Sequence, residues 1–180
     1  MQDVKDQFIA FWKESGTEKI FKIRGTSMFP LIRQTDAIGV LPLRHPEDLR
    51  IGDIALFQWP SGMVAHRIVG KFRKDNTTYF YEKGDAAVLP KPIAGELIIG
   101  KVVKIYRPAR TINLTSRFWL IANRSAGYYW HCLYAGFELT RILKNQLFGV
   151  KKYPRINAAY RTVYRFLSAL PAMLFRHKQP

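Results

Sequence analysis

The feature that most constrains this chain is the texture of Lys19 to Tyr106. Short runs rich in β-branched and aromatic residues recur there: Ile20–Ile23, Ala37–Leu41, Ile54–Trp59, Val64–Val69, Thr77–Tyr81 and Leu97–Tyr106. Turn-forming residues separate them, among them Pro42, Pro46, Gly52-Asp53, Pro60-Ser61-Gly62, Gly84-Asp85, Pro90 and Pro92. Such punctuation interrupts helices but leaves room for strands. The pattern predicts a mainly β domain over 19–106, a barrel or a coiled, sandwich-like sheet.

Both flanks read differently. Val4, Phe8, Phe11 and Trp12 fall at i, i+4, i+7 and i+8, one face of an amphipathic helix with Asp3 as its cap and Ser15-Gly16 as its stop. This predicts a helical segment within 1–18. After Arg110 the texture is helical, aromatic and basic. One helix is expected around Tyr128–Phe148, carrying Leu133, Phe137, Thr140, Arg141 and Lys144. A second is expected over Ala158–Leu170, ended near Pro171. Its Tyr160, Val163, Tyr164 and Leu167 share one side, while Arg161 and Arg165 repeat at i, i+4. The expected organisation is therefore 1–18, 19–106 and a basic helical region over 107–180.

Charge sharpens that division. Residues 1–106 carry 16 Lys/Arg against 12 Asp/Glu, whereas residues 107–180 carry 13 Lys/Arg against Glu138 alone. A cationic region of this kind points to a polyanionic partner. The expected partner is an anionic membrane surface met through 107–180, because basic amphipathic helices rich in Tyr and Trp suit that interface. Nucleic acid is the disfavoured alternative, and a solvated cationic helical pair packed on the β domain is the bland one. No obligate oligomer is indicated.

Three classes fall away on composition. Hydrophobic residues make up 48% and charged residues 23% of the 180-residue chain, close to ordinary globular values and unlike collagen or a disordered tract. Cys132 is the single cysteine, so neither an internal disulfide nor a cysteine-built zinc site is available. In the basic region the longest stretch free of Asp, Glu, Lys and Arg is Ser125 to Phe137, short of the ~20 residues a membrane-crossing helix needs. Met1 to Ser15 lacks the apolar core of an export signal. The expectation is a cytoplasmic or peripheral membrane location.

The chemistry is carried by Gly25-Thr26-Ser27-Met28-Phe29-Pro30, directly after a strand. Gly25 allows a sharp bend and Pro30 fixes the exit, so Ser27 is presented outward with its backbone N–H free. Three further segments accompany it: Ile51-Gly52-Asp53-Ile54-Ala55-Leu56-Phe57, Val64-Ala65-His66-Arg67-Ile68-Val69-Gly70, and Tyr81-Glu82-Lys83-Gly84-Asp85. In order and spacing this set resembles the signal peptidase I family, in its serine–histidine branch. Ile98-Ile99-Gly100-Lys101-Val102 is similar to the family's closing strand, so the resemblance spans about Lys22 to Tyr106.

The resemblance implies that Ser27 is the nucleophile, His66 the general base and Asp85 the carboxylate that orients the base. It implies a structural role for Asp53, with Gly25, Met28, Pro30, Gly52, Lys83 and Gly84 as motif residues, and neither cofactor nor metal. The chemistry is consistent. A serine hydroxyl needs a neighbouring base, and imidazole, with a reference pKa of ~6.5, serves near neutrality. A carboxylate on the other ring nitrogen fixes the tautomer, and the Ser27 N–H would meet the oxyanion. Gly25 stands where some relatives have a serine that also binds the oxyanion, so a second donor is unassigned. His45, His131 and His177 receive no role.

The expected function is thus a serine endopeptidase of signal-peptidase type, cleaving a signal or leader segment from an exported or membrane-associated precursor. One alternative is a non-catalytic basic module for a membrane surface or nucleic acid. Another is a relative of the self-cleaving repressors, which use a lysine base and carry a DNA-binding domain ahead of the nucleophile.

Overall fold

A computed structural model describes residues 2–59, 62–148 and 162–171, the side chains of 2–6 and 147–148 excepted. Its centre is one antiparallel sheet of eight strands. In chain order these are β1 (Lys19–Lys22), β2 (Ala37–Pro42), β3 (Ile54–Trp59), β4 (Gly62–Lys74), β5 (Thr77–Lys83), β6 (Lys91–Ala94), β7 (Ile98–Arg107) and β8 (Arg110–Asn113). Helix α1 (Gln2–Ser15) precedes the sheet and α2 (Arg117–Phe148) follows it. A further helix, α3, covers 162–171.

The strand order is β1-β2-β7-β3-β4-β5-β6, with β8 added beside β7. Two long strands make this possible. Strand β7 pairs with β3 from Ile98 to Lys101 and with β8 from Lys104 to Arg107, while β2 runs along its other edge. Strand β4 pairs with β3 up to Arg67 and with β5 from Arg67 onward. Its first residues therefore have β3 on one side and no β5 partner on the other.

The expectation of a barrel is corrected here, because the sheet is open and ends at β1 and β6. Strand β6 carries Pro92, which has no N–H to offer a further strand, the property that confines proline to sheet edges. What holds is the coarser expectation of a mainly antiparallel β fold. The sheet nevertheless curls, so that the end of β1 and the start of β4 line the same cleft.

The core forms where strand alternation and both flanking helices converge. Ile38, Val40, Ile54, Leu56, Val69, Val102 and Ile105 come from the sheet, Trp12 and Ile9 from α1, and Ala126 and Trp130 from α2. Helix α1 differs from its expected face. Ile9 and Trp12, at i and i+3, are buried, whereas Phe8 and Phe11 stay exposed. The Phe8 ring is instead covered by the Lys19 ammonium, 3.8 Å from its centroid. Val4, on the expected face, lies outside the described side chains.

Helix α2 starts eleven residues earlier than the periodicity around Tyr128 suggests and is 32 residues long. It seats on the sheet through two glycines. A Cβ on Gly52 would lie 2.5 Å from the Asn123 carbonyl oxygen, and one on Gly127 would lie 2.5 Å from the Gly52 nitrogen. Gly52 also has φ of +97°, which a side chain resists. Of the second basic helix, 158–161 lie outside the described residues, and the described part includes Pro171. A proline there leaves the Leu167 carbonyl without its helical donor. The Tyr129 hydroxyl supplies one at 2.8 Å, and the Trp130 indole N–H donates to Ser168 O at 2.9 Å. Among the described residues no helix is long and apolar enough to cross a membrane.

Candidate active site

Ser27 opens the turn that follows β1 and is exposed. The turn is fixed by Phe29 N–H donating to Thr26 O at 3.0 Å and Ile32 N–H donating to Met28 O at 2.9 Å. Met28, Leu31 and Ile32 anchor it in the core. Gly25, Thr26 and Ser27 stay outside, and the Phe29–Pro30 peptide is cis. The Ser27 carbonyl accepts the Ala86 N–H at 2.9 Å, which ties the turn to the residues after β5. The Ser27 N–H has no partner among the described residues.

His66 lies on β4, where the strand passes from its β3 pairing to its β5 pairing. Its Nε2 is 2.8 Å from Ser27 Oγ, and its Nδ1 is 2.5 Å from Glu82 Oε2. Both His66 and Glu82 are largely buried, at 17% and 7% side-chain exposure, so water competes weakly for this contact. Phe57 packs its ring edge-on to the imidazole at 5.8 Å. The structure thus brings together Ser27, His66 and a carboxylate in one hydrogen-bonded line.

That carboxylate is Glu82, whereas Asp85 was expected. Asp85 points to Arg67, which donates from Nε to Oδ1 and from Nη2 to Oδ2, both at 2.9 Å. Both side chains of this pair are fully buried. Strand parity explains the exchange. The β4–β5 register pairs Arg67 with Lys83 and Ile68 with Glu82. Side chains alternate between faces, so His66 shares a face with Glu82, and Arg67 shares one with Lys83 and Asp85. The signal that could have found Glu82 was this odd–even count along Tyr81-Glu82-Lys83-Gly84-Asp85.

The remaining motif residues shape the site. Gly84 passes so close to the pair that a Cβ would lie 2.7 Å from Ser27 O and 3.2 Å from His66 Nε2. Asp53 accepts the Arg50 N–H at 3.0 Å and meets Lys101 Nζ at 2.8 Å, closing the turn into β3. Gly52 O accepts from Arg67 Nη1 at 3.0 Å, and Asn123 Oδ1 on α2 accepts from the same nitrogen at 2.7 Å. Asn123 was missed by sequence reasoning, since nothing local marks it as a partner of Arg67. Lys83 donates to Gly84 O at 3.2 Å and lies 4.1 Å above the Trp130 ring. Burial lowers its pKa to about 8, with Asp85 opposing that shift and Arg67 adding to it. Among the described residues no three His, Cys, Asp or Glu side chains converge as metal ligands would.

A cleft of ≈ 410 Å³ runs beside Ser27. Lys22 to Gly25 form one wall, Met63 to Ala65 the other, and Met28 and Ile32 contribute to its lining. The Met63–Ala65 wall is the part of β4 that lacks a β5 partner, so its backbone is available to an extended peptide. No protein-family model matches the sequence, and no curated protein matches it.

Proposed function

We propose that this chain is a serine endopeptidase of signal-peptidase type, cutting a signal or leader segment from an exported or membrane-associated precursor. The observation that carries this reading is the line Ser27 Oγ, His66 Nε2, His66 Nδ1, Glu82 Oε2, with contacts of 2.8 and 2.5 Å. The cleft beside it, with an unpaired strand edge, supports an extended peptide as substrate. The resemblance over Lys22 to Tyr106 supports the precursor class.

In this mechanism Ser27 Oγ attacks the scissile carbonyl carbon while its proton passes to His66 Nε2. Glu82 accepts the Nδ1–H, holding the tautomer that leaves Nε2 basic and stabilising the imidazolium that forms. The Ser27 N–H donates to the oxyanion. The proton on Nε2 then goes to the leaving amine, and the acyl-serine is hydrolysed by water that His66 deprotonates in turn. The test is cleavage of an extended-peptide library by the wild type, Ser27→Ala, His66→Ala and the double variant. Each single variant should lose nearly all turnover and the double should lose little more, as for residues acting as one unit. Wild-type rates in either single variant would remove the assignment. The precursor that accumulates under Ser27→Ala identifies the substrate.

A further inference from the structure

We infer that the outer face of α2 is a docking surface for an anionic lipid bilayer, on which the helix lies flat. The inner face of α2 is spent on the sheet, where Asn123, Ala126 and Trp130 are buried. On the outer face Phe118, Ile121, Tyr128, Leu139, Ile142 and Leu143 are 47–60% exposed. Their spacings of three, seven, eleven and three or four residues keep them along one side of the helix. At 1.5 Å per residue the row from Phe118 to Ile142 is roughly 36 Å long. An exposed apolar row of this length marks an interaction surface.

Charge selects the occupant. Arg117 and Arg124 lie on the side of the helix that carries the row, and the helix's one acid, Glu138, is already paired with Arg141 at 2.5 Å. Between Glu96 and the end of the chain there is no other acidic residue, and the chain as a whole carries +16. A second copy would bring the same excess of positive charge to the contact, and like-charge repulsion would oppose it. A bilayer with anionic headgroups offers both complements, hydrocarbon for the row and negative charge for the basic side chains. The helix cannot cross that bilayer, so contact is along its length.

The test uses the full chain, pelleted with vesicles of phosphatidylcholine and phosphatidylglycerol and with vesicles of phosphatidylcholine alone. Binding is read without turnover, so it stands or falls independently of the peptidase reading. The wild type should pellet with the mixed vesicles at low salt and release at high salt, where charges separated by more than a Debye length are screened. Ile121→Asp with Leu139→Asp should weaken that binding by about ten-fold or more, since charge is costly on a lipid-facing surface. Should that pair fail to fold, Leu139→Ser with Ile142→Ser asks the same question. Equal pelleting of wild type and variant would overturn the inference. So would a dimer in sedimentation, or binding of an oligonucleotide, that the same substitutions abolish while lipid binding persists.

Discussion

Glu82 Oε2 sits 2.5 Å from His66 Nδ1, diagonally across the β4–β5 pair. The contact makes Glu82→Gln the most informative change in the site. An amide in that place can donate to Nδ1 and so favour the tautomer that cannot take the serine proton. Peptide cleavage should fall by two to four orders of magnitude, on the scale of about 10⁴ for the equivalent loss in unrelated triad enzymes, with the melting temperature nearly unchanged. Rates close to wild type would show that the carboxylate does not orient the base.

Asp85→Asn should behave in the opposite way. Its partner Arg67 is fully buried, and removing one member of a buried ion pair costs about 3–5 kcal/mol. Denaturant unfolding should register that loss. Turnover measured well below the lowered melting point should fall far less than in Glu82→Gln. A folded, stable but inactive Asp85→Asn would return Asp85 to the catalytic line.

Lys83 makes a pH prediction with a definite sign. Its folded pKa is lowered to about 8 from 10.5 by burial. Between those values the unfolded chain holds a proton that the native state has released, so native stability rises with pH in that window. Relative to Lys83→Met, the wild type should gain on the order of 3 kcal/mol between pH 8 and 10.5 at about 1.4 kcal/mol per unit. Paired urea titrations across that range measure it, and parallel curves would contradict it. Lys83→Met should keep peptide cleavage, because its ammonium faces Trp130 and not the cleft; its loss, with His66→Ala still active, would favour a lysine base.

Trp130→Ala tests whether α2 belongs to the folding unit of the sheet. Trp130 is 1% exposed within the main core, and emptying such a site costs about 3–5 kcal/mol. A shift of the single melting transition is expected. An unchanged sheet transition would mean that α2 is an appendage.

Tyr164 offers a gain. Its hydroxyl is buried without a hydrogen-bond partner among the described residues, and burial raises its pKa to about 12. The ring packs on Phe137 at 4.6 Å. Tyr164→Phe keeps that contact and removes a polar group whose unpaired burial costs about 1–3 kcal/mol. Calorimetry should show an equal or higher melting temperature, and a clear drop would reveal a partner for the hydroxyl.

Much of this architecture is legible before any coordinates. The strands found at Ala37–Pro42, Ile54–Trp59 and Ile98–Arg107 lie within a residue or two of the apolar runs that announce them. Ser27 and His66 are legible because their flanking turn and strand residues form ordered motifs. Three things were hidden. Strands β6 and β8 are four residues each and carry little pattern of their own. The face of α1 was misjudged because Phe8 and Phe11 are more hydrophobic in isolation than their packing warrants, and Lys19 compensates for one of them. The pairing of Asp85 with Arg67 depends on register across two strands, which no single segment displays.

The contact between Gly52 and Gly127 carries a consequence for how this chain can be altered. Backbone meets backbone there with room for hydrogens only, so the helix is keyed to one turn of the sheet. A foreign C-terminal helix grafted after Asn113 would need a residue without a side chain at the position of Gly127, whatever its charge or apolar pattern. The exposed apolar row can therefore be redesigned residue by residue along the outer face, but the helix that bears it is not an interchangeable module.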